Sequence, residues 1–366
     1  MGLKAGIVGL PNIGKSTIFN ALTQLEIEAA NYPFCTIDPN SGIVNIPDKR
    51  LNKLAEIFIP NLITPTTMEF VDIAGLVKGA SSGEGLGNQF LSHIRDVDAI
   101  IHVVRLFNDE KVSHVEAELN PLRDIEIVET ELLIKDITSV DKQMEKYIKI
   151  ARIGDKKSKE ILDILDIIYP QMNNGTMVHD IILQEKQRQK IHHMSLLTDK
   201  PVLYVANVHE NDILEKHHDE NMKQIISFAQ KRNNIAIRIC GKLEAEIATL
   251  PLEEKQSFLI EFNLNQTSLD KLIQASHNLL GLETFFTCGE KEVRAWTIKK
   301  GTLAPQAAGE IHSDMERGFI KADIYSYDDI VLIGSELALR EKGKIRQEGK
   351  NYVIQDGDVI FFKFNV

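Results

Sequence analysis

Residues 9–17 read "GLPNIGKST", a nonapeptide that fits G-x-x-x-x-G-K-[ST]. The apolar run "KAGIVGL" precedes it and a helical stretch from Lys15 to Leu25 follows, which is the strand-loop-helix context the motif needs. Glycines at these positions let backbone N–H groups turn toward an anion at a helix N-terminus, where the macrodipole also favours negative charge. Lys15 is then placed for β- and γ-phosphate oxygens and Ser16 for Mg²⁺, while Asn12, Ile13, Gly14 and Thr17 complete the wrapping loop. Asn12 keeps two readings: an amide that stabilises the turn, or a ligand for a monovalent cation such as K⁺.

Working outward, "DIAG" at residues 72–75 ends the next apolar strand. Asp72 is expected to hold a metal-bound water and the Gly75 N–H to sense the γ-phosphate. Thr36, in "NYPFCTIDPNSG", lies between the two motifs and is the natural switch threonine for the same metal. Leu76 stands where Ras-type enzymes carry the glutamine that orients water, and it offers neither donor nor acceptor. Another group must position the water, or hydrolysis is slow. The glycine-rich "GLVKGASSGEGLGNQF" beyond it reads as a nucleotide-sensing switch.

"VANVHEN", residues 205–211, sits where a guanine-binding domain writes Asn-Lys-x-Asp. In that loop the aspartate accepts from guanine N1–H and the 2-amino group; adenine lacks the amino group and its N1 is an acceptor. Asn207, Val208 and Glu210 therefore read as an altered base loop, with valine packing in place of lysine. "CGKLEAE" from Cys240 occupies the second base-facing position, and its Lys242 leaves both ATP and GTP binding open.

Apolar runs at "TTMEFVDIAG", "DAIIHVVRL", "KPVLYVAN" and "NIAIRIC", separated by helical stretches, predict a parallel sheet covered on both faces. Between Asp124 and Thr198 the period changes: Leu133, Ile137, Val140, Met144, Tyr147 and Ala151 form a coiled-coil stripe. Tyr169-Pro170 and Asn173–Gly175 are expected to break it, with Gln184–Leu197 returning as the second arm of an antiparallel hairpin. Ten Lys or Arg against seven Asp or Glu lie between Lys142 and His192, although the whole chain carries a net charge of −11. That local excess is either a solvated helix face or a patch for RNA or another polyanion. After "SLDKLIQASHNLLGL", the short strands "VRAWTI", "GFIKADIYS", "NYVIQ" and "DVIFFKF" predict a small mixed module beginning near Gly281.

The net charge argues against binding nucleic acid through the whole surface. No apolar run approaches the ~18–20 residues of a membrane span, and no signal-peptide segment precedes the first strand. Cys35, Cys240 and Cys288 match no zinc spacing, which points to a reduced, cytoplasmic setting.

The phosphate loop, "NYPFCTIDPN", "DIAGLVKGASSGEGLGNQFLSHIRDVDAI", "NVHE" and the ending "GTLAPQAAGEIHSDMERGFIKADI…GKNYVIQDGDVIFFKFNV" together resemble the YchF type of Obg-related P-loop NTPases over essentially the whole chain. The resemblance implies an α/β Ras-like P-loop NTPase domain at 1–124 and 198–280. It also implies an inserted antiparallel coiled-coil hairpin at 125–197 and a C-terminal β-grasp (TGS) domain at 281–366. It further implies Mg²⁺-dependent hydrolysis with ATP preferred over GTP. Catalysis would use Lys15 and a loop histidine, for which His114 in "FNDEKVSHVEAELNP" is the matching position, although a lone loop histidine is more often just solvated. Ribosome or large-subunit association, RNA contact through the hairpin and TGS domain, a monomeric state and a switch role in translation or stress complete the expectation. The alternatives are an Obg-class GTPase and a ribosome-binding scaffold whose contacts ignore nucleotide.

Overall fold

The structure is a computed structural model that describes residues 3–25, 40–73, 93–107, 119–214 and 219–365. Cys35, Thr36, Gly75, Leu76 and His114 lie outside the described residues. The chain divides into two compact units, one made of Met1–Val44 with Glu69–Leu272, the other of Asn45–Met68 with Ile273–Val366.

In the first unit the apolar runs become β1 (Lys4–Val8), β4 (Thr67–Asp72), β5 (Ala99–Arg105), β6 (Val202–Asn207) and β7 (Ile235–Ile239), joined by β2 (Ser41–Asn45), which the sequence did not announce. They lie in the order β2-β4-β1-β5-β6-β7, with β1 parallel to both β4 and β5, and β6 parallel to both β5 and β7. Every residue of β5 and β6 is buried, as expected where helices cover both faces. Register sets the functional edge. Ile7 pairs with Asp72, Arg105 with Asn207, and Asn207 with Ile239, so the carboxyl ends of these strands carry the motif residues side by side.

Helix α1 (Lys15–Thr23) follows β1 and buries Ile18, Phe19, Ala21 and Leu22. The insertion forms where the sequence predicts it, but it turns elsewhere. A helix of 31 residues, Pro121–Ala151, starts with Pro121 in its first turn and with Asn120 accepting from the Arg123 N–H at 3.1 Å. It ends at a turn through Gly154 (φ 91°), and the return arm is Lys156–Asn173, capped by Asp155 on the Ser158 N–H at 2.7 Å. Tyr169-Pro170 therefore does not break the hairpin. Pro170 falls near the C-terminal end of the return arm, where the Asn174 N–H still reaches its carbonyl at 3.2 Å. The predicted arm Gln184–Leu197 is a single short helix, Glu185–Ile191, followed by two 3₁₀ turns. The stripe is as read from Leu133 to Tyr147: Leu133, Val140 and Tyr147 bury against Ile164, Leu165, Ile168 and Met172, with Ile137 and Met144 alongside.

Polar groups fasten the hairpin's foot to the sheet. Asp136, 2% exposed, accepts from the Leu197 N–H, the Thr198 N–H and the Thr198 hydroxyl at 3.0, 2.8 and 2.7 Å. Glu129 accepts from the Tyr204 hydroxyl at 2.6 Å and from Arg232 at 2.7 Å. Beside Tyr204, at 5.8 Å between ring centroids, lies His102 of β5. Burial pushes its imidazole down to about 4, against the opposing pull of Glu129.

The folded state thus keeps His102 neutral, while the unfolded chain protonates it near 6.5. Stability conferred by this group is full above that pH and is lost as pH falls toward 4, by about 3 kcal/mol. Denaturant titrations of the wild type and of His102→Gln should differ in pH slope across this window. Parallel curves would contradict the buried neutral histidine.

The second unit holds β8 (Leu282–Cys288), β9 (Glu292–Lys299), helix Ala304–Ile311, β10 (Phe319–Ser326), β11 (Arg346–Glu348) and β12 (Asp358–Phe364). The order is β11-β10-β12-β8-β9, with β12 parallel to β8 and antiparallel to β10. A hairpin, a helix and three further strands, the last of which enters the middle of the sheet, make the β-grasp arrangement. "NYVIQ" contributes only a bridge between Val353 and Leu303, not a strand. Residues 45–68, within the 1–124 segment of the sequence reading, fold with this unit: β3 (Leu62–Thr64) adds to the β9 edge in parallel. Helix Lys49–Phe58 buries Leu51 and Leu54 against Phe286, Val293 and Ala295, while Arg50 pairs with Asp48 and Asp356. No periodicity in "KRLNKLAEIF" says which sheet its apolar face will cover.

Candidate phosphate and base site

Gly14 adopts φ 87° immediately before α1, and a Cβ there would stand 2.2 Å from Asn207 Nδ2. Only glycine meets both demands. Asn12, at φ 62°, is exposed and turns the loop in the left-handed region, which asparagine tolerates better than most residues. Its conformation fits the turn-stabilising reading. The Lys15 side chain is nearly buried; its ammonium pairs with the Asp72 carboxylate and donates to the Ile73 carbonyl at 2.7 Å. Ser16 and Thr17 lie exposed in the first turn of α1. Loop, ammonium, hydroxyl and carboxylate thus converge at one end of the sheet.

Asn207 ends β6 and is 5% exposed. Its Nδ2 donates to the Ile13 carbonyl at 2.8 Å and its Oδ1 accepts from the Gly241 N–H at 3.0 Å. One amide therefore ties the phosphate loop to the start of helix Gly241–Ala248. The spare Nδ2 proton suits an acceptor such as purine N7, which adenine and guanine share. Val208 is buried, its N–H bonded to the Ile239 carbonyl at 2.9 Å. Glu210 opens the next helix, and its carboxylate receives Lys242 at 3.0 Å. The hydrogen bond from Lys242, then its charge, holds the Glu210 carboxyl below the usual range. Sequence reasoning placed these residues together but missed two linkages: the Asn207 clamp and the Glu210–Lys242 pair.

A family model described as a 50S ribosome-binding GTPase matches residues 4–152, and a YchF GTPase C-terminal model, described as a protein of unknown function, matches 282–365. The ribosome-binding ATPase YchF of Bacillus subtilis (strain 168) is 51% identical over 366 residues, covering 100% of both chains. That of Escherichia coli O157:H7 is 49% identical with the same coverage. The structure of the Schizosaccharomyces pombe YchF GTPase matches with a TM-score of 0.88 at 40% identity, covering 99% of this chain and 98% of that one. The chain belongs to the YchF family.

The chain accordingly carries a P-loop NTPase domain and a C-terminal sheet domain, like the YchF structure it matches. The donor set at the YchF phosphate loop suits Mg²⁺: a first-turn hydroxyl, Ser16, and a strand-end carboxylate, Asp72, both offer oxygen beside a helix N-terminus, a position that favours an anion. Mg²⁺ characteristically takes one or two protein oxygens and completes its shell with water and phosphate.

Proposed function

We propose that this YchF-family chain is a Mg²⁺-dependent ATPase, with ATP preferred over GTP, whose slow turnover sets its association with the ribosome. The observation that carries the base preference is the state of Glu210. Guanine needs a carboxylate free to accept from N1–H and the 2-amino group, and this one is engaged by Lys242. Asn207 offers N7 a donor that both purines can use, and Val208 packs where a lysine stem would lie. The relatives' printed name, ribosome-binding ATPase, agrees with this reading.

In the nucleotide complex, Lys15 would exchange Asp72 for the β- and γ-phosphates, leaving Asp72 to hold a metal-bound water while Ser16 ligates the ion. Bound Mg²⁺ would neutralise charge on the β- and γ-oxygens. Asn12, Ile13, Gly14 and Thr17 would wrap the phosphates. Thr36, Gly75 and His114 would serve as metal ligand, γ-phosphate sensor and water-positioning base. Leu76 cannot orient water, which accounts for slow turnover. No described helix is long and apolar enough to cross a membrane, and a monomer working in the cytoplasm beside the ribosome fits the proposal. K⁺ at Asn12 and RNA contact by the basic hairpin belong to it as well.

Pelleting with ribosomes tests the switch. Wild type should sediment differently with a non-hydrolysable ATP analogue than without nucleotide, and Lys15→Ala protein should lose that difference. Identical sedimentation of both proteins in every nucleotide state would favour a scaffold that ignores nucleotide.

A further inference from the structure

We infer that Lys242 is a specificity-determining residue: by holding Glu210 in an ion pair across the two base-facing loops, it turns a potential guanine reader into one that favours adenine. This rests on the ATP preference proposed above and adds the residue that enforces it. Glu210 belongs to the segment after β6 and Lys242 to the segment after β7, two strands paired from Leu203 with Ile235 to Asn207 with Ile239. The Nζ to Oε2 distance is 3.0 Å. Next to it, the Asn207 amide joins the same two segments through Gly241. The base-reading elements are thus latched twice, once by a buried amide and once by an exposed charge pair, with side chains 39% and 68% exposed for Glu210 and Lys242.

The latch acts on both nucleotides, in opposite directions. Guanine presents N1–H and a 2-amino group, and accepting both takes two carboxylate oxygens; Lys242 competes for one of them and drains charge from the other. Adenine presents a lone pair at N1, which a bare carboxylate repels; the ammonium relieves that repulsion. Glutamate has one methylene more than the aspartate of a guanine reader, and that length lets it lean toward Lys242. Removing the lysine should therefore strengthen GTP binding and weaken ATP binding together. An exposed pair is a modest lever, so the ratio of the two affinities should change by roughly threefold.

The test is calorimetric titration of Mg²⁺ complexes of non-hydrolysable ATP and GTP analogues into wild type, Lys242→Met and Lys242→Met/Glu210→Gln proteins. Thermal melting confirms that each is folded, which the exposure of both side chains leads one to expect. A lowered ATP preference in K242M, restored toward the wild-type value in the double variant, supports the inference. An unchanged ratio in K242M, on a wild type that does prefer ATP, overturns the role of Lys242 alone. Equal wild-type affinities would overturn the base preference itself, and the inference with it.

Discussion

Lys15→Ala protein will bind Mg²⁺-ATP on the order of 100-fold more weakly than wild type and show no measurable single-turnover hydrolysis, with its fold intact. The ammonium is nearly buried, its contacts are a carboxylate and a backbone carbonyl, and it follows a loop turned through the left-handed Asn12 and Gly14. Substitution removes the ammonium proposed to meet the phosphates, and it leaves the Asp72 carboxylate without this partner. Asp72 is at a strand end with a side chain 19% exposed, so water can reach the carboxylate left behind. The measurement pairs nucleotide titration with thermal melting. A variant that melts as wild type yet binds ATP equally well would remove Lys15 from the site.

Asn207→Ala should be the more damaging change to the protein itself. Both ends of the amide are occupied in a buried position, and truncation strands the Ile13 carbonyl and the Gly241 N–H together. Two buried groups left without partners cost about 2–5 kcal/mol. The loss should reach function because these bonds join the phosphate loop to the segment after β7 that is proposed to face the base, so nucleotide affinity should fall in parallel with stability. Asn207→Asp separates the two ends of the clamp. It keeps an acceptor for the Gly241 N–H but sets a carboxylate oxygen against the Ile13 carbonyl, so it should be destabilised at pH 7 and partly recovered as acid protonates the carboxyl. Denaturant unfolding of the two variants across pH reads this out; wild-type stability in Asn207→Ala would show that the clamp contributes nothing.

Much of this arrangement is legible in the sequence because local rules act on it without competition. The loop from Gly9 to Thr17 is a short, contiguous device between a strand and a helix, and the central strands β5 and β6 are largely apolar runs buried on both faces. The coiled-coil stripe is legible for the same reason, since Leu133, Val140 and Tyr147 repeat on one face. Where the hairpin turns is not. Gly154 sits inside a run of charged residues that reads as unbroken helix, whereas the conspicuous Pro170 falls near a helix end that tolerates it. The excursion 45–68 is illegible for a different reason. Its helix has an ordinary apolar face, and only tertiary contact decides that Leu51 and Leu54 cover the C-terminal sheet.

The site shows the same division. Lys15, Asp72 and Asn207 could be nominated from motifs, but a motif lists residues without their partners. That Lys15 pairs with Asp72, that Asn207 clamps Ile13 to Gly241, and that Glu210 is held by Lys242 follow from strand register between segments far apart in the chain.

The most direct test of the ATP preference is calorimetric titration of Mg²⁺-ATP and Mg²⁺-GTP analogues into one nucleotide-free preparation of the wild-type protein. Tighter ATP binding by about tenfold, about 1.4 kcal/mol, is the predicted result. Tighter binding of GTP would contradict the reading of Asn207, Val208 and Glu210 and return the chain to the guanine-specific switches.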